Sequence, residues 1–229
     1  MNAQRHDKHS LIATTLAYAL GGIFAVAALF FLCAGTFDYW QAWVFLVLTV
    51  VILAPMIIWL VRNSPDLMER RMRARERETS QKVVVVLIAI LFSLVLVLPG
   101  FDRRFSWSHV PLWLDLPGFA LVIAAYILYI RVVQVNRFAS RAIEVAKEQK
   151  VVQAGPYAVV RHPMYLANII FGLGLAFALG SYWTIFPALA IVPTLAWRAY
   201  NEENTLLHEL SGYAEYTQKV RWRLIPGIW

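Results

Sequence analysis

The chain has 229 residues, is 60% hydrophobic and carries a formal net charge of +7. Its mean hydropathy of +0.58 and apolar share exceed the roughly 45–50% typical of soluble domains, which excludes a water-soluble globular protein and points to an integral membrane bundle. The single cysteine, Cys33, excludes an internal disulfide framework, and the basic residues fall between apolar runs, the pattern of a membrane face rather than of a nucleic-acid surface.

Residues 11–35 contain no charge and are long enough to cross a hydrocarbon core of about 30 Å. The run exceeds the roughly 7–15 residues of a signal-peptide core and no clear small-x-small cleavage site follows, so it is expected to remain as a helix. Residues 39–61 form a second span, in which Pro55 is tolerated if neighbouring helices satisfy the freed carbonyl. Residues 83–101 form a third. Residues 116–130 form a shorter fourth, extended toward Asn136 with Arg131 snorkelling to the interface. The last apolar run, 163–197, is too long for one span, since 35 residues make a helix of about 52 Å. Gly180-Ser181-Tyr182-Trp183 near its middle reads as a turn, so the run is expected to fold as a hairpin of two helices. The fold class is therefore an all-α, polytopic transmembrane helix bundle of about six spans. It divides into N-terminal helices over 1–135, with a basic loop at 62–82, and a segment over 136–229 that carries the motifs.

The N-terminus, the loop 62–82, the segment 131–161 and the tail from Arg198 hold 19 of the 21 Lys and Arg. The opposite loops hold only Arg103 and Arg104. By the positive-inside rule, both termini and both long basic segments are expected to be cytoplasmic. Within 62–82, Ser64 is a candidate N-cap with Pro65 at the first helical position, and Glu69 and Arg73 are spaced for an i,i+4 pair. The loop reads as an anchor on anionic lipid or as a lid over a site.

Two polar clusters fall on the expected cytoplasmic side. In the first, Gly155-Pro156-Tyr157 breaks regular structure, and Pro163 turns His162 away from helix while suiting the first helical position. Arg161 and His162 then lie at a helix N-terminus, whose free N–H groups favour a carboxylate or phosphate. The plainer reading is an interfacial belt of Arg, His and Tyr. In the second cluster, Arg198 and Glu202 are one helical turn apart, with Glu203 beside them. Paired carboxylates at a membrane boundary call for a cation, either Arg198 itself or a ligand group. The hairpin brings both clusters to one end, and walls of both signs suit a zwitterionic, amino-acid-like ligand. No Cys pattern or HExxH supports a metal site from His162, His208, Glu202 and Glu203. Gly172-Leu173-Gly174 reads as close helix packing.

The order Gly155-Pro156-Tyr157, Arg161-His162-Pro163-Met164-Tyr165, hairpin, Arg198…Glu202-Glu203-x-x-Leu206, Gly212-Tyr213…Tyr216 and Arg223-x-x-Pro226 resembles the isoprenylcysteine carboxyl methyltransferase family. That family includes bacterial-type relatives and is similar to phospholipid N-methyltransferases. The resemblance spans about 136–226, and the first three spans share only their apolar character. It implies an S-adenosylmethionine-dependent, multi-pass membrane methyltransferase with a lipophilic substrate and a site facing the cytoplasm. Residue by residue it implies that Lys150, Val151 and Val152 lie along the cofactor. Tyr157, His162, Pro163, Met164, Tyr165 and Glu202 would contact it, Glu203 would complete the paired carboxylates there, and Arg198 would orient the substrate. Many relatives carry Gly two residues after the tyrosine of RHPxY. Ala167 stands there in this chain, and its methyl would narrow the pocket or alter helix packing.

A prenylcysteine-type carboxylate or a small thiol is anionic when it attacks, so neither needs a general base, and none is identified. A phospholipid amine must lose a proton, for which Tyr165 and Glu203 are candidates. A lipid or sterol reductase using NADPH shares a similar hairpin and RHP-like motif. The paired glutamates oppose that reading, since a dinucleotide phosphate calls for more basic residues. A non-catalytic scaffold or transporter would place charges along a path through the bilayer, whereas the spans are uncharged at their centres.

Overall fold

A computed structural model describes residues 2–65, 67, 79–138 and 149–229. The described chain is all-helical. Six long helices, α1 (Asn2–Ala34), α2 (Trp40–Asn63), α3 (Thr79–Phe105), α4 (Asp115–Val135), α5 (Pro163–Ala178) and α6 (Ile185–Glu209), precede a short α7 (Tyr213–Lys219) and a C-terminal tail. Four candidate membrane spans, Thr14–Ala34, Trp40–Asn63, Gln81–Phe105 and Leu112–Val135, are long and apolar enough to cross a bilayer. The fourth is not short, because a 3-10 turn at Leu112–Leu114 leads straight into α4 and continues the helix toward the opposite surface.

The apolar run 163–197 folds as the expected hairpin. Helix α5 ends at Ala178, Gly180 takes the left-handed φ of 69° that a turn requires, and Tyr182–Thr184 form a 3-10 turn into α6. At 16 residues, α5 is about 24 Å long and shorter than an ideal span. Helix α6 does not stop at Trp197 but runs on to Glu209. No breaker intervenes after Pro193, so the polar half carrying Arg198, Glu202 and Glu203 is fixed to the same rigid rod as the apolar half.

In lipid, burial from water does not drive helices together, so close approach at small residues matters more. The most extensive helix interface joins α4 and α5. A Cβ at Gly118 would lie 2.3 Å from the Ala178 backbone nitrogen, and one at Gly174 would lie 3.0 Å from Leu121 Cβ. Gly172 instead faces Ile191 and Ala188 of α6, so the Gly-x-Gly pair serves both neighbours of α5, as expected of close packing. Around this seam, Phe30, Phe45, Val95, Leu175, Ile191 and Leu195 form one core reaching from α1 to α6. Ala167 is buried within α5.

The end of the bundle away from the polar motifs is fastened by buried polar groups. Asp102, 2% exposed, accepts hydrogen bonds from Ser108 N (2.7 Å), Ser108 Oγ (2.5 Å) and Ser181 Oγ (2.6 Å). Tyr39 donates to the Leu179 carbonyl at 2.6 Å. Of the segment 62–82, Ser64 closes α2, Pro65 and Leu67 are helical directly after it, and the Ser64 carbonyl accepts from Leu67 N at 3.1 Å. Leu67 packs with Leu60 and Val133. The Glu69/Arg73 pair and the lid reading lie outside the described residues.

Candidate functional site

At the polar end, α4, the Gly-Pro-Tyr turn, the start of α5, the polar half of α6 and α7 surround one cavity. The turn Gly155–Ala158 is a 3-10 segment that begins with Gly155 at φ 58°. A side chain there would be strained, and its Cβ would meet Val135 at 3.3 Å. The turn is tied on both sides. Asn136 Nδ2, just past α4, donates to Tyr157 Oη at 2.8 Å, and Tyr216 Oη of α7 donates to the Tyr157 carbonyl at 2.7 Å. His162 is the N-cap of α5 and Pro163 its first residue, as the sequence predicts.

The cavity wall includes Lys150, Val151, Val152, Tyr157, His162, Pro163, Met164, Tyr165 and Glu202. Thus nine of the ten residues placed at a cofactor by motif order come from three separated segments to one space. Val151 packs with Leu206 against Leu210, Tyr213, Tyr216 and Val220, which fixes that extended strip against α6 and α7.

Two of the candidate residues stand off the cavity wall. Glu203 is not among the lining residues. One residue beyond Glu202 the helix has turned by about 100°, and the Glu203 carboxylate faces the tail. Arg161 Nη1 donates to its two oxygens at 2.9 and 3.1 Å, Arg223 Nε donates at 2.8 Å, and His162 Nε2 lies 3.3 Å away. Arg198 likewise is not on the wall; it is 5% exposed and its Nε donates to Tyr165 Oη at 3.0 Å. Its reach into the cavity is through that tyrosine, which in turn donates to Glu202 Oε2 at 2.6 Å. Ala167 is also absent from the wall, so its methyl belongs to helix packing rather than to pocket width.

Arg161 also borders the cavity, and its guanidinium is engaged within the protein. Besides Glu203, its guanidinium bonds the carbonyls of Val220 (2.8 Å), Arg221 (3.0 Å) and Thr217 (3.4 Å). The backbone N–H groups of Arg161 and His162 bond the carbonyls of Trp222 and Arg223, each at 2.9 Å. The tail is thereby laid along the entry to α5. No role was read from the sequence for Asn136, Tyr213, Tyr216 or Arg223. The spacing of Gly212-Tyr213…Tyr216 and Arg223-x-x-Pro226 was the available signal for the last three.

The electrostatics follow from this geometry. Burial pushes the His162 imidazole down, but Glu202 at 3.5 Å and Glu203 at 3.3 Å outweigh it and raise it to about 9. Burial pushes the Glu203 carboxyl up; His162, Arg223 and Arg161 overcome this and hold it at about 2. Glu202 is lowered against its own burial by His162, Tyr165 and Arg198. An imidazolium therefore stands between two carboxylates. Glu202 keeps acceptor capacity toward the cavity, being 28% exposed against 4% for Glu203. On the same wall the buried Tyr213 hydroxyl has no hydrogen-bond partner among the described residues.

Residues 114–212 match the sequence model of the family described as phospholipid methyltransferase. This stretch covers α4, the turn, the hairpin and the cavity-bearing part of α6, so the part of the chain that carries the cavity is the part similar to that family. A solved structure of the eukaryotic intramembrane Ras methyltransferase, an isoprenylcysteine carboxyl methyltransferase, is similar at a TM-score of 0.45 and 17% identity, over 93% of this chain and 86% of that one. No curated protein matches the sequence.

Proposed function

We propose that the protein is an S-adenosylmethionine-dependent methyltransferase acting on a lipophilic acceptor, with its cavity open to the cytoplasm. The observation that carries this reading is the gathering of nine motif residues around one cavity with Glu202 as its partly exposed carboxylate. The donor set suits the cofactor. Glu202 offers an acceptor to an ammonium, the tyrosine-rich wall offers ring faces to an onium group, and the unpartnered Tyr213 hydroxyl and Lys150 offer donors to a carboxylate. When bound, S-adenosylmethionine supplies an electrophilic methyl group.

The chain's own contribution is alignment and exclusion of water. Effective molarities in well-oriented systems correspond to about 7–11 kcal/mol of barrier. Tyr165 holds the Glu202 carboxylate by its hydroxyl, and Arg198 orients that hydroxyl from behind. Arg198 therefore positions the site through Tyr165. The acceptor enters from the membrane, between helices, with its nucleophilic atom toward the cavity. For an amine acceptor, the Tyr165–Glu202 pair is the nearest route for the departing proton.

Calorimetry of detergent-purified protein with S-adenosylhomocysteine tests the reading. Wild type is expected to bind, and Glu202→Gln to bind about tenfold or more weakly, the effect of losing a charge-assisted hydrogen bond. A folded wild type that does not bind sinks the assignment, and unchanged affinity in Glu202→Gln sinks the role of that carboxylate. Radiolabelled methyl transfer into a lipid extract then sorts the acceptor: a base-labile product is a carboxyl methyl ester, and a base-stable one is an N- or S-methyl product.

A further inference from the structure

Glu203 is bonded by Arg161, Arg223 and His162, yet it is not among the residues lining the cavity. Its partners come from two segments that are distant in sequence. Arg161 and His162 precede α5, and Arg223 lies in the tail. These segments also meet through the isolated parallel bridge of Val160 with Trp222. His162 is the link back to the site, for its Nε2 faces Glu203 while its Nδ1 faces Glu202 at 3.5 Å. The His162 ring is also stacked on Tyr165, with centroids 5.4 Å apart and planes 6° from parallel. Movement of the Glu203 carboxylate is thus felt by both groups that fix Glu202.

We propose that Glu203 is a positioning residue: by clamping Arg161, His162 and Arg223 it locks the tail onto the entry of α5. In doing so it holds the His162–Tyr165 stack that aims Glu202 into the cavity. The inference takes the identity of the ligand from the proposed function. It divides the labour of the paired glutamates, with Glu202 meeting the ligand and Glu203 holding the wall.

A double-mutant cycle read by calorimetry with S-adenosylhomocysteine on the full chain tests it, since residues acting through one another are non-additive and independent ones add. Glu203→Gln is expected to weaken binding about tenfold in the wild-type background. With Glu202→Gln already present, the same change is expected to weaken it by less than about threefold. Arg223→Met, which removes one arm of the clamp and leaves Arg161 in place, gives a second cycle with Glu203→Gln and is likewise expected to be non-additive. Thermal unfolding of each variant verifies that the measured protein is folded. Equal losses in both backgrounds, or unchanged affinity in folded Glu203→Gln and Arg223→Met, overturn the positioning role while leaving the methyltransferase reading intact. A folded wild type that fails to bind overturns that reading instead.

Discussion

His162 shows how much one residue's chemistry depends on its neighbours. An imidazole buried alone loses its proton; this one, set between Glu202 and Glu203 and near Arg161, is raised to about 9 from an ordinary 6.5. A folded-state value above the unfolded one gives stability that is complete below about 6.5 and is lost as pH rises through 9. Glu203 has the opposite sign: held at about 2 against an ordinary 4.5, it stabilises above 4.5 and loses that contribution as pH falls through 2. The thermal midpoint of the wild type is therefore expected to fall between pH 6.5 and 9, and the slope to flatten in His162→Gln. Ring nitrogen NMR is expected to show one histidine still doubly protonated at pH 8. Loss of that signal below pH 7 would remove the imidazolium from the site. The sequence identified His162 and Glu202 as site residues through motif order. It could not separate Glu202 from Glu203, because adjacent positions on a helix differ only in direction, and direction is decided by what packs on each side.

Among the elements, the α4–α5 seam carries the hairpin. Gly118 has no room for a methyl group, since the nearest backbone atom of Ala178 would be 2.3 Å away. Gly118→Ala is expected to force the helices apart and cost about 1–3 kcal/mol or more, as overpacking does. A lowered thermal midpoint in detergent checks this, and an unchanged midpoint would show that the seam yields freely. Gly172-Leu173-Gly174 was legible as packing because small residues four apart or fewer mark close helix contact. Gly118 was not, since a lone glycine says nothing of its partner. The hairpin turn was legible for a simpler reason: 35 apolar residues exceed what a bilayer accommodates. The length of α6 was underestimated because hydropathy marks where lipid ends, not where the helix does.

Across the whole molecule, polar groups concentrate at the two ends. One end holds the Glu203 clamp and the cavity, and the other holds Asp102 with its serine partners and Tyr39 on the Leu179 carbonyl. The lysine and arginine counts lead us to propose that the cavity end is cytoplasmic. In a background lacking Cys33, Lys219→Cys is expected to react with a membrane-impermeant thiol reagent only when the cytoplasmic face is open. His109→Cys is expected to react from the other face; both residues are exposed. Labelling of both from one side would overturn the orientation. Asp102 escaped the sequence reading because it ends an apolar run, where a charge is ordinarily solvated. Here the end of α3, the following loop and the hairpin turn close over it and supply three donors.

By itself the sequence determined the membrane class, the helical architecture, the hairpin and the set of residues that meet at the polar end. These follow from hydropathy, bilayer thickness and motif order, which are properties read along the chain. Only the tertiary structure decided which of those residues face the cavity. Glu202 and Glu203 are adjacent in sequence, but one is turned to an open wall and the other into a cluster of Arg161, His162 and Arg223. Arg198, to which the family resemblance gives a substrate-orienting role, is bonded to the Tyr165 hydroxyl. Such roles depend on the direction and burial of side chains, which are fixed when segments distant in sequence close around them.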